Sequence, residues 1–261
     1  MGFTLKPEKC QSLSINKGKP ENIEFNLSNE TTDKAIKIES VLDKPMKFLG
    51  STIGSISIPN AIFAEILSKL TTKLENIERS TLRGEFKLNI YTRYALPSMR
   101  YFFSVHQMNE TNMTQLDSLV RKHIKQWLGV QKHGVSDAAI FHPYMLSIKM
   151  PSQLYKEAHA GNYALIRSKG DEFVNHAMDS RLERESAWSK KHSTVASMHK
   201  MWQENVNETK IQDPLDQPYA TPAIIKQAKK AMLKSVQNQT MNYWNERIKK
   251  NSHFKEILHS C

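Results

Sequence analysis

The chain has 261 residues, of which 39% are hydrophobic, and a formal net charge of +11. This length is enough to bury a core in one large or two small domains without disulfide or metal staples. The cysteines are Cys10 and Cys261, far apart in the sequence, which excludes a disulfide framework and a CxxC zinc or redox site. No apolar run reaches the roughly 18 residues of a membrane span, and a signal peptide pattern is absent, so we expect an intracellular protein of the cytoplasm and/or nucleus.

Residues 1–60 are predicted to form a small antiparallel sheet, because apolar and polar residues alternate there with a period of two. Gly18-Lys19-Pro20 and Asp43-Lys44-Pro45 predict turns between strands. A short strand is expected after the segment Met46-Lys47-Phe48-Leu49-Gly50. The alternating apolar positions are Leu13, Ile15, Ile23, Phe25, Leu27, Ile36 and Ile38.

Residues 61–150 predict a helical bundle, since their apolar residues recur every three or four positions. The first helix is expected to end before Gly84. Pro97 should kink the second helix, because proline removes a backbone donor. The third should open at Thr114, capped together with Asp117, and end at Gly129. Basic residues flank the apolar stripes of the second and third helices: Lys87, Arg93, Arg100, Arg121, Lys122 and Lys125.

The remaining sequence predicts a helical continuation over residues 151–212, a rigid proline-containing linker over 213–218 and a separable basic helix over 219–261. Positive charge is concentrated in two of these blocks. Residues 61–150 carry five more basic than acidic side chains, and residues 219–261 carry six more. Such a distribution attracts a polyanion, with nucleic acid the first candidate and an acidic membrane surface the second.

Aromatic residues interleave with the arginines of the second helix, and this mixture suits nucleic acid. Tyrosine rings can stack on bases or sugars while guanidinium groups meet phosphates. The alternative is that the aromatic residues form core and that the arginines only extend from it toward solvent. The residues concerned are Tyr91, Arg93, Tyr94, Arg100, Tyr101, Phe102 and Phe103.

Motifs for catalysis are missing from the sequence. Its eight aspartates include no adjacent pair, and only Asp213 and Asp216 are close, inside the predicted linker. Two-metal phosphoryl transfer needs converging carboxylates, so it has no support here. A phosphate-binding loop and a Gly-x-Ser-x-Gly elbow are also absent. No catalytic or metal-binding residue is therefore predicted.

Several short motifs, in this order, resemble the reverse transcriptases of non-LTR (LINE-type) retrotransposons. Leu5-Lys6-Pro7-Glu8-Lys9-Cys10 with Leu13-Ser14-Ile15 resembles the palm strand that follows the YxDD turn. Met46-Lys47-Phe48-Leu49-Gly50 resembles the strand turn of the primer grip. Leu96-Pro97, Leu116-Asp117, Arg121, Ile124 and Trp127-Leu128 resemble the thumb pattern. The likeness spans about residues 3–150, whereas Leu146-Ser147-Ile148-Lys149-Met150-Pro151 departs from the glycine-rich stretch that the family often has there.

The resemblance implies the end of a palm (1–60), a thumb (61–150) and further helices, and so an α+β fold that is mostly α. It implies that Phe48, Leu49 and Gly50 support a primer end and that Lys9 corresponds to a lysine that protonates leaving pyrophosphate in an intact polymerase. The YxDD turn and the earlier strand aspartate are absent from this sequence. Mg²⁺ is accordingly expected only for an intact polymerase, with no cofactor bound by this chain.

The sequence therefore predicts a catalytically incomplete fragment that grips a template RNA and primer DNA duplex. Its expected nucleic-acid-binding residues are Lys87, Arg93, Arg100, Arg121, Lys122 and Lys125, which would contact phosphates without reading sequence. A missing N-terminal polymerase portion is a further expected partner, and a membrane is not. The alternative is a basic helical adaptor or scaffold that binds acidic proteins or lipid head groups.

Overall fold

The computed structural model describes residues 10–17, 19–28, 35–44, 46–48, 51–53, 59–130, 137–142, 146, 148–167, 171–184, 194–209 and 222–250, some of them by backbone alone. The chain divides into two compact units, Met1–Ala64 and Glu65–Cys261. The first contains short strands, and the second is helical. The predicted fold class, α+β and mostly α, is confirmed.

The seven strands that the structure describes are short. The largest sheet has three strands, and the fifth strand of the chain lies at its centre. It pairs antiparallel with the fourth, where Phe25 is opposite Ile38, and parallel with the first, where Gln11 is opposite Glu39. The remaining strands form two hairpins. Bounds are β1 Gln11–Ser12, β2 Ser14–Asn16, β3 Lys19–Glu21, β4 Phe25–Ser28, β5 Ala35–Ser40, β6 Met46–Phe48 and β7 Ser51–Ile53. The predicted antiparallel pairing holds for β4 with β5 and for both hairpins, whereas β1 pairs parallel with β5 and makes the three-stranded sheet mixed.

The turn predicted at Gly18-Lys19-Pro20 begins earlier in the structure. Lys17 has a φ of +49°, which makes it the turn residue, and β3 already begins at Lys19. Pro20 lies opposite Ile15 in this two-stranded hairpin. Proline is tolerated there because a hairpin strand has a free edge where no backbone donor is needed.

Nine helices follow among the described residues, and the apolar stripe of the first is buried as its spacing predicts, with Ile66, Leu70, Leu74 and Ile77 facing the core. Bounds are α1 Pro59–Arg79, α2 Gly84–Ile90, α3 Arg100–Val105, α4 Glu110–Trp127, α5 Asp137–Phe141, α6 Pro151–Arg167, α7 Glu172–Arg184, α8 Thr194–Thr209 and α9 Pro222–Lys250. In the described part of the chain, none of them is both long and apolar enough to cross a bilayer.

The second predicted helix, in which Pro97 was expected to cause a kink, is divided near this proline into α2 and α3. A π-helical turn, Tyr91–Ala95, and a 3₁₀ turn, Pro97–Met99, connect the two. The Leu96 amide donates to the Tyr91 carbonyl at 2.9 Å, five residues back. Since proline has no N–H to continue the α-helical ladder, the wider and tighter turns take up the change of direction.

The start of α4 differs from the prediction. The helix begins at Glu110, and the Asn109 side chain caps it by accepting from the Asn112 amide at 2.7 Å. Thr114 is inside the helix, where its hydroxyl donates to the Glu110 carbonyl at 2.9 Å. The end is as predicted. Gly129 has a φ of +68°, and the amides of Gly129 and Val130 close the last turn.

Asp117 caps a different helix from the one expected. Its carboxylate accepts from the Ser152 amide at 3.0 Å and from the Ser152 hydroxyl at 2.6 Å, at the N-terminus of α6. Burial raises the pKa of Asp117, and these two hydrogen bonds oppose that rise. Asp117 thereby joins α4 to α6 across 35 residues of sequence.

Helix α6 is the centre of the helical unit. It packs against α3, α4, α8 and α9, and its buried residues point in all directions around its axis. The predicted blocks 61–150 and 151–212 therefore share one core, with α6 between them. The buried residues of α6 are Pro151, Leu154, Tyr155, Glu157, Ala158, His159, Ala160, Tyr163 and Ala164.

The predicted basic C-terminal helix exists as α9, and it lies against the bundle. Trp244 stacks on Phe141 of α5 with ring centroids 6.1 Å apart. Gln153 of α6 donates to the Thr240 hydroxyl at 2.6 Å. These contacts hold α9 on α5 and α6, whereas a separable helix was expected. The predicted linker 213–218 lies outside the described residues.

Candidate nucleic-acid interface

The segment from Tyr91 to Phe103 has a buried side and an outward side. Tyr91, Leu96 and Phe103 are buried, and the Tyr91 hydroxyl donates to the Lys149 carbonyl at 3.0 Å. Burial raises the pKa of Tyr91 well above its usual value. These aromatic residues are therefore core, which decides the alternative left open by the sequence for Tyr91 and Phe103.

The outward side of the same segment presents two arginines and two tyrosines. Arg93, Tyr94, Arg100 and Tyr101 are all exposed, and Tyr94 exposes 70% of its surface. Neither arginine makes a salt bridge with any residue that the structure describes. We call these four residues the Arg–Tyr surface. Its two positive charges are available to an incoming anion, and its rings are available for stacking.

Phe102 belongs to neither group. It is half-buried, its ring meets that of Tyr101 edge-on at 5.8 Å, and the Lys69 ammonium of α1 lies 4.1 Å from its centroid. This cation–π contact covers the ring with a side chain of the protein itself. Phe102 is therefore in contact with Lys69 on one side and with the exposed Tyr101 on another.

Arg121 and Lys125 are placed differently from the expectation that their charge would face outward. The Arg121 guanidinium lies 3.3 Å and the Lys125 ammonium 2.6 Å from the two carboxylate oxygens of Asp137. Their side chains are only 19% and 13% exposed. Asp137 therefore neutralises part of the positive charge that was predicted to meet phosphate on this helix.

This cluster supports a stability prediction. Replacing Arg121 and Lys125 together by Gln should destabilise the protein by roughly 1–2 kcal/mol, since Asp137 would lose both cationic partners in a partly buried site. Urea denaturation measures the change. Lys122→Gln is the control, because Lys122 is exposed on the same helix and should shift stability by less than about 0.5 kcal/mol. Equal midpoints for the double variant and the control would contradict a structural role for the cluster.

The other two predicted basic residues also have distinct surroundings. Lys122 is exposed on α4, open to an anion. Lys87 is half-buried, and its ammonium donates to the Glu78 carbonyl at 2.8 Å in the last turn of α1. Glu78 also contacts α4, because its carboxylate lies 2.6 Å from His123 Nδ1. Lys87 thus contributes to the junction of α1, α2 and α4, where its charge compensates a helix C-terminus.

The residues linked to the primer grip and to proton transfer are not described. Lys9, Leu49 and Gly50 lie outside the described residues, and Phe48 is described only by its backbone in β6. Among the residues that the structure does describe, no group of three His, Cys, Asp or Glu side chains is arranged to hold a metal ion. The prediction that this chain binds no cofactor stays a prediction.

Comparison of the chain with family models, with curated proteins and with solved structures finds no match in any of the three.

Sequence reasoning missed Asp137 as the partner of Arg121 and Lys125. Asp137 follows Arg121 by 16 residues and belongs to another helix, so no helical spacing relates them. The available signal was weak: an acidic residue at the first position of a short helix. Arg93 and Arg100 are exposed because they fall between the buried residues Tyr91, Ala95, Met99 and Phe103. The helical spacing of Phe86, Ile90, Tyr94, Tyr101 and Val105 predicts a different buried stripe, and four of its five members are exposed.

Proposed function

We propose that the helical unit binds a nucleic-acid duplex through the Arg–Tyr surface, as the holding part of a reverse transcriptase of the non-LTR type. The observation that carries the proposal is the pair of exposed arginines, without described acidic partners, beside exposed tyrosines on a packed segment. The ligand is a template RNA and primer DNA duplex. Lys122 on α4 is a further phosphate contact of this proposal.

The chemistry of the Arg–Tyr surface fits a phosphate backbone. A guanidinium group donates two parallel hydrogen bonds to a phosphate and keeps its charge at all physiological pH values. A tyrosine ring stacks on a terminal base or a sugar with little sequence preference. Contacts of this kind position a duplex without reading its sequence.

The proposal assigns this chain no chemistry of its own. The YxDD turn and the earlier strand aspartate of the family are absent from this sequence. In this proposal the Mg²⁺ ions and the catalytic carboxylates therefore belong to a different portion of the polymerase. The role proposed here is to hold the duplex while another portion extends the primer.

The test is binding of an RNA–DNA hybrid by the variant Arg93→Gln/Arg100→Gln. Gln has nearly the helix propensity of Arg, so the fold should be retained, and circular dichroism checks this. Affinity should fall, and the slope of log affinity against log salt should become shallower by up to about 1.8, since each lost phosphate contact contributes roughly 0.9 to the slope for a B-form duplex.

The matched control is Arg181→Gln/Lys200→Gln. This control also removes two positive charges, but from exposed positions on α7 and α8, and it leaves the Arg–Tyr surface intact. A slope reduction in the control equal to that of the arginine variant would mean that only net charge matters. In that case the Arg–Tyr surface is ordinary solvated surface, and the adaptor alternative gains support.

The tyrosines are tested separately. Tyr94→Leu keeps a large apolar side chain but removes the aromatic face. It should lower affinity for the hybrid and leave the salt slope unchanged, because stacking releases no counterions. An unaltered affinity would restrict the proposed contact to the arginines.

A further inference from the structure

Helix α9 carries a second basic surface that the proposed function does not use. Lys226, Lys230 and Lys234 recur every four residues and are all exposed. Spacing by four residues places them on one side of the helix, about 6 Å apart along its axis. We call them the lysine row. Val236, which is buried, and Ser235 mark the packed side of the same part of the helix.

The lysine row is not explained by helix stability. Like charges four residues apart repel each other and weaken a helix. The sequence offers no compensation within α9, because the first acidic residue after Pro222 is Glu246, three turns beyond Lys234. The three lysines therefore repel one another, and binding of an anionic partner would reduce this repulsion.

The helices that pack on α9 do not compensate the row either. The acidic side chains described on α5, α6 and α8 are Asp137, Glu157 and Glu204, and each already faces a basic partner. Asp137 pairs with Arg121 and Lys125, Glu157 lies 2.7 Å from Lys149, and Glu204 lies 3.7 Å from Lys200. Among the described residues, no salt bridge involves the lysine row.

We infer that the lysine row is a second phosphate-binding site, which takes the sugar–phosphate backbone of a nucleic acid. Lysine ammonium groups act as point charges that suit single phosphate oxygens without fixed orientation. Each strand of a B-form duplex carries one phosphate about every 3.4 Å along the helix axis, so a row about 12 Å long can face more than one phosphate in succession. This inference rests on the proposed function for the kind of ligand and on different residues for the contact.

The position of α9 gives the row a defined place in the unit. Asn245 lies 3.1 Å from His142 Nε2, and with the Trp244 and Thr240 contacts it fixes α9 to α5 and α6. Because α6 also packs on α3, one rigid helix connects the lysine row with the Arg–Tyr surface. The lysine row and the Arg–Tyr surface thus belong to one packed set of helices.

The test compares Lys226→Gln/Lys230→Gln/Lys234→Gln with the parent chain on an RNA–DNA hybrid. The salt slope should become shallower by up to about 2.7, three contacts at roughly 0.9 each. Changing the same lysines to Arg should keep the slope, since the charge remains. The matched control, Lys156→Gln/Arg181→Gln/Lys200→Gln, removes three exposed charges elsewhere and should leave most of the slope.

Different results overturn the inference and the proposed function. A lysine variant that behaves like its control overturns the inference alone, whatever the Arg93/Arg100 variant shows. Loss of slope in the lysine variant, with an Arg93/Arg100 variant that matches its own control, supports the row and overturns the Arg–Tyr surface. Vesicles of phosphatidylcholine with phosphatidylserine distinguish a lipid ligand: loss of vesicle binding with unchanged hybrid binding would overturn the inference in favour of a membrane.

Discussion

Gly84→Ala is expected to destabilise the helical unit by about 2–3 kcal/mol or more, although alanine is the better helix former. Gly84 begins α2 against the end of α4. A Cβ atom there would overlap the carbonyl oxygen of Trp127 and lie 2.9 Å from its carbonyl carbon. Since the clash is with backbone, no side-chain rotation can relieve it, and the two helices would have to separate. Urea denaturation followed by circular dichroism measures the loss.

The chain contains a matched control for this substitution. Gly161 lies within α6, and apart from the adjoining backbone of its own helix a Cβ atom there would meet no atom within 4 Å. Gly161→Ala should therefore stabilise the protein by about 0.5–1 kcal/mol through the usual helix preference. The same chemical change thus has opposite expected signs at the two positions. Two shifts of the same sign would contradict the close approach of α2 and α4.

Stability is also expected to fall by about 3 kcal/mol as pH is lowered from about 6.5 to about 4, through His159 alone. His159 is fully buried in α6, and the Tyr155 ring lies 4.2 Å from its own. Burial lowers the pKa of His159 from 6.5 to about 4, and the nearby backbone of His106 and Phe103 offsets part of this shift. Neither ring nitrogen has a hydrogen bond of good geometry to a described residue.

The direction follows from proton binding. Between the two pKa values the unfolded chain binds a proton at this histidine and the folded protein does not, so acid favours unfolding. Above about pH 6.5 both states are neutral and His159 contributes no pH dependence. Below about pH 4 His159 is protonated in both the folded and the unfolded state. Its destabilising contribution to the free energy of unfolding then no longer changes with pH.

The measurement is the free energy of unfolding against pH for the parent and for His159→Leu. Removing the histidine should make the profile shallower between about pH 4 and pH 6.5, since its lowered pKa no longer contributes, while His106, whose pKa burial also lowers, still does. The control is His176→Gln, at an exposed position of α7, which should leave the slope as in the parent. A slope in His159→Leu as steep as that of the parent would assign the acid sensitivity to other groups.

The sequence predicted those helices that have one buried side and one solvent-exposed side. Leu70, Leu74 and Ile77 follow the helical period because a single core face selects them. The cap of α4 was not predictable in the same way. Asn109 and Thr114 both have side chains that favour the N-cap position, and the true partner of Asp117 is Ser152, which is distant in sequence.

The candidate site was predictable in part for the same physical reason. Arg93 and Arg100 are exposed because they fall between apolar positions of their own segment. Arg121 and Lys125 also fall off the stripe of α4, but a second element carrying Asp137 covers that side. Periodicity reports which side of a helix meets the nearest core, and it contains no information about what packs on the other sides.

The position of α6 at the centre of the unit has a consequence for how this protein can vary. Lys156 and Leu165 are the exposed side chains of this helix, and its other positions are buried or half-buried against several neighbours. A substitution at one of its fully buried positions must satisfy more than one packing partner at once. Over evolutionary time α6 should therefore drift slowly, while the outer face of α7 is free to diverge, and a conserved block at residues 151–164 would identify distant relatives of this chain.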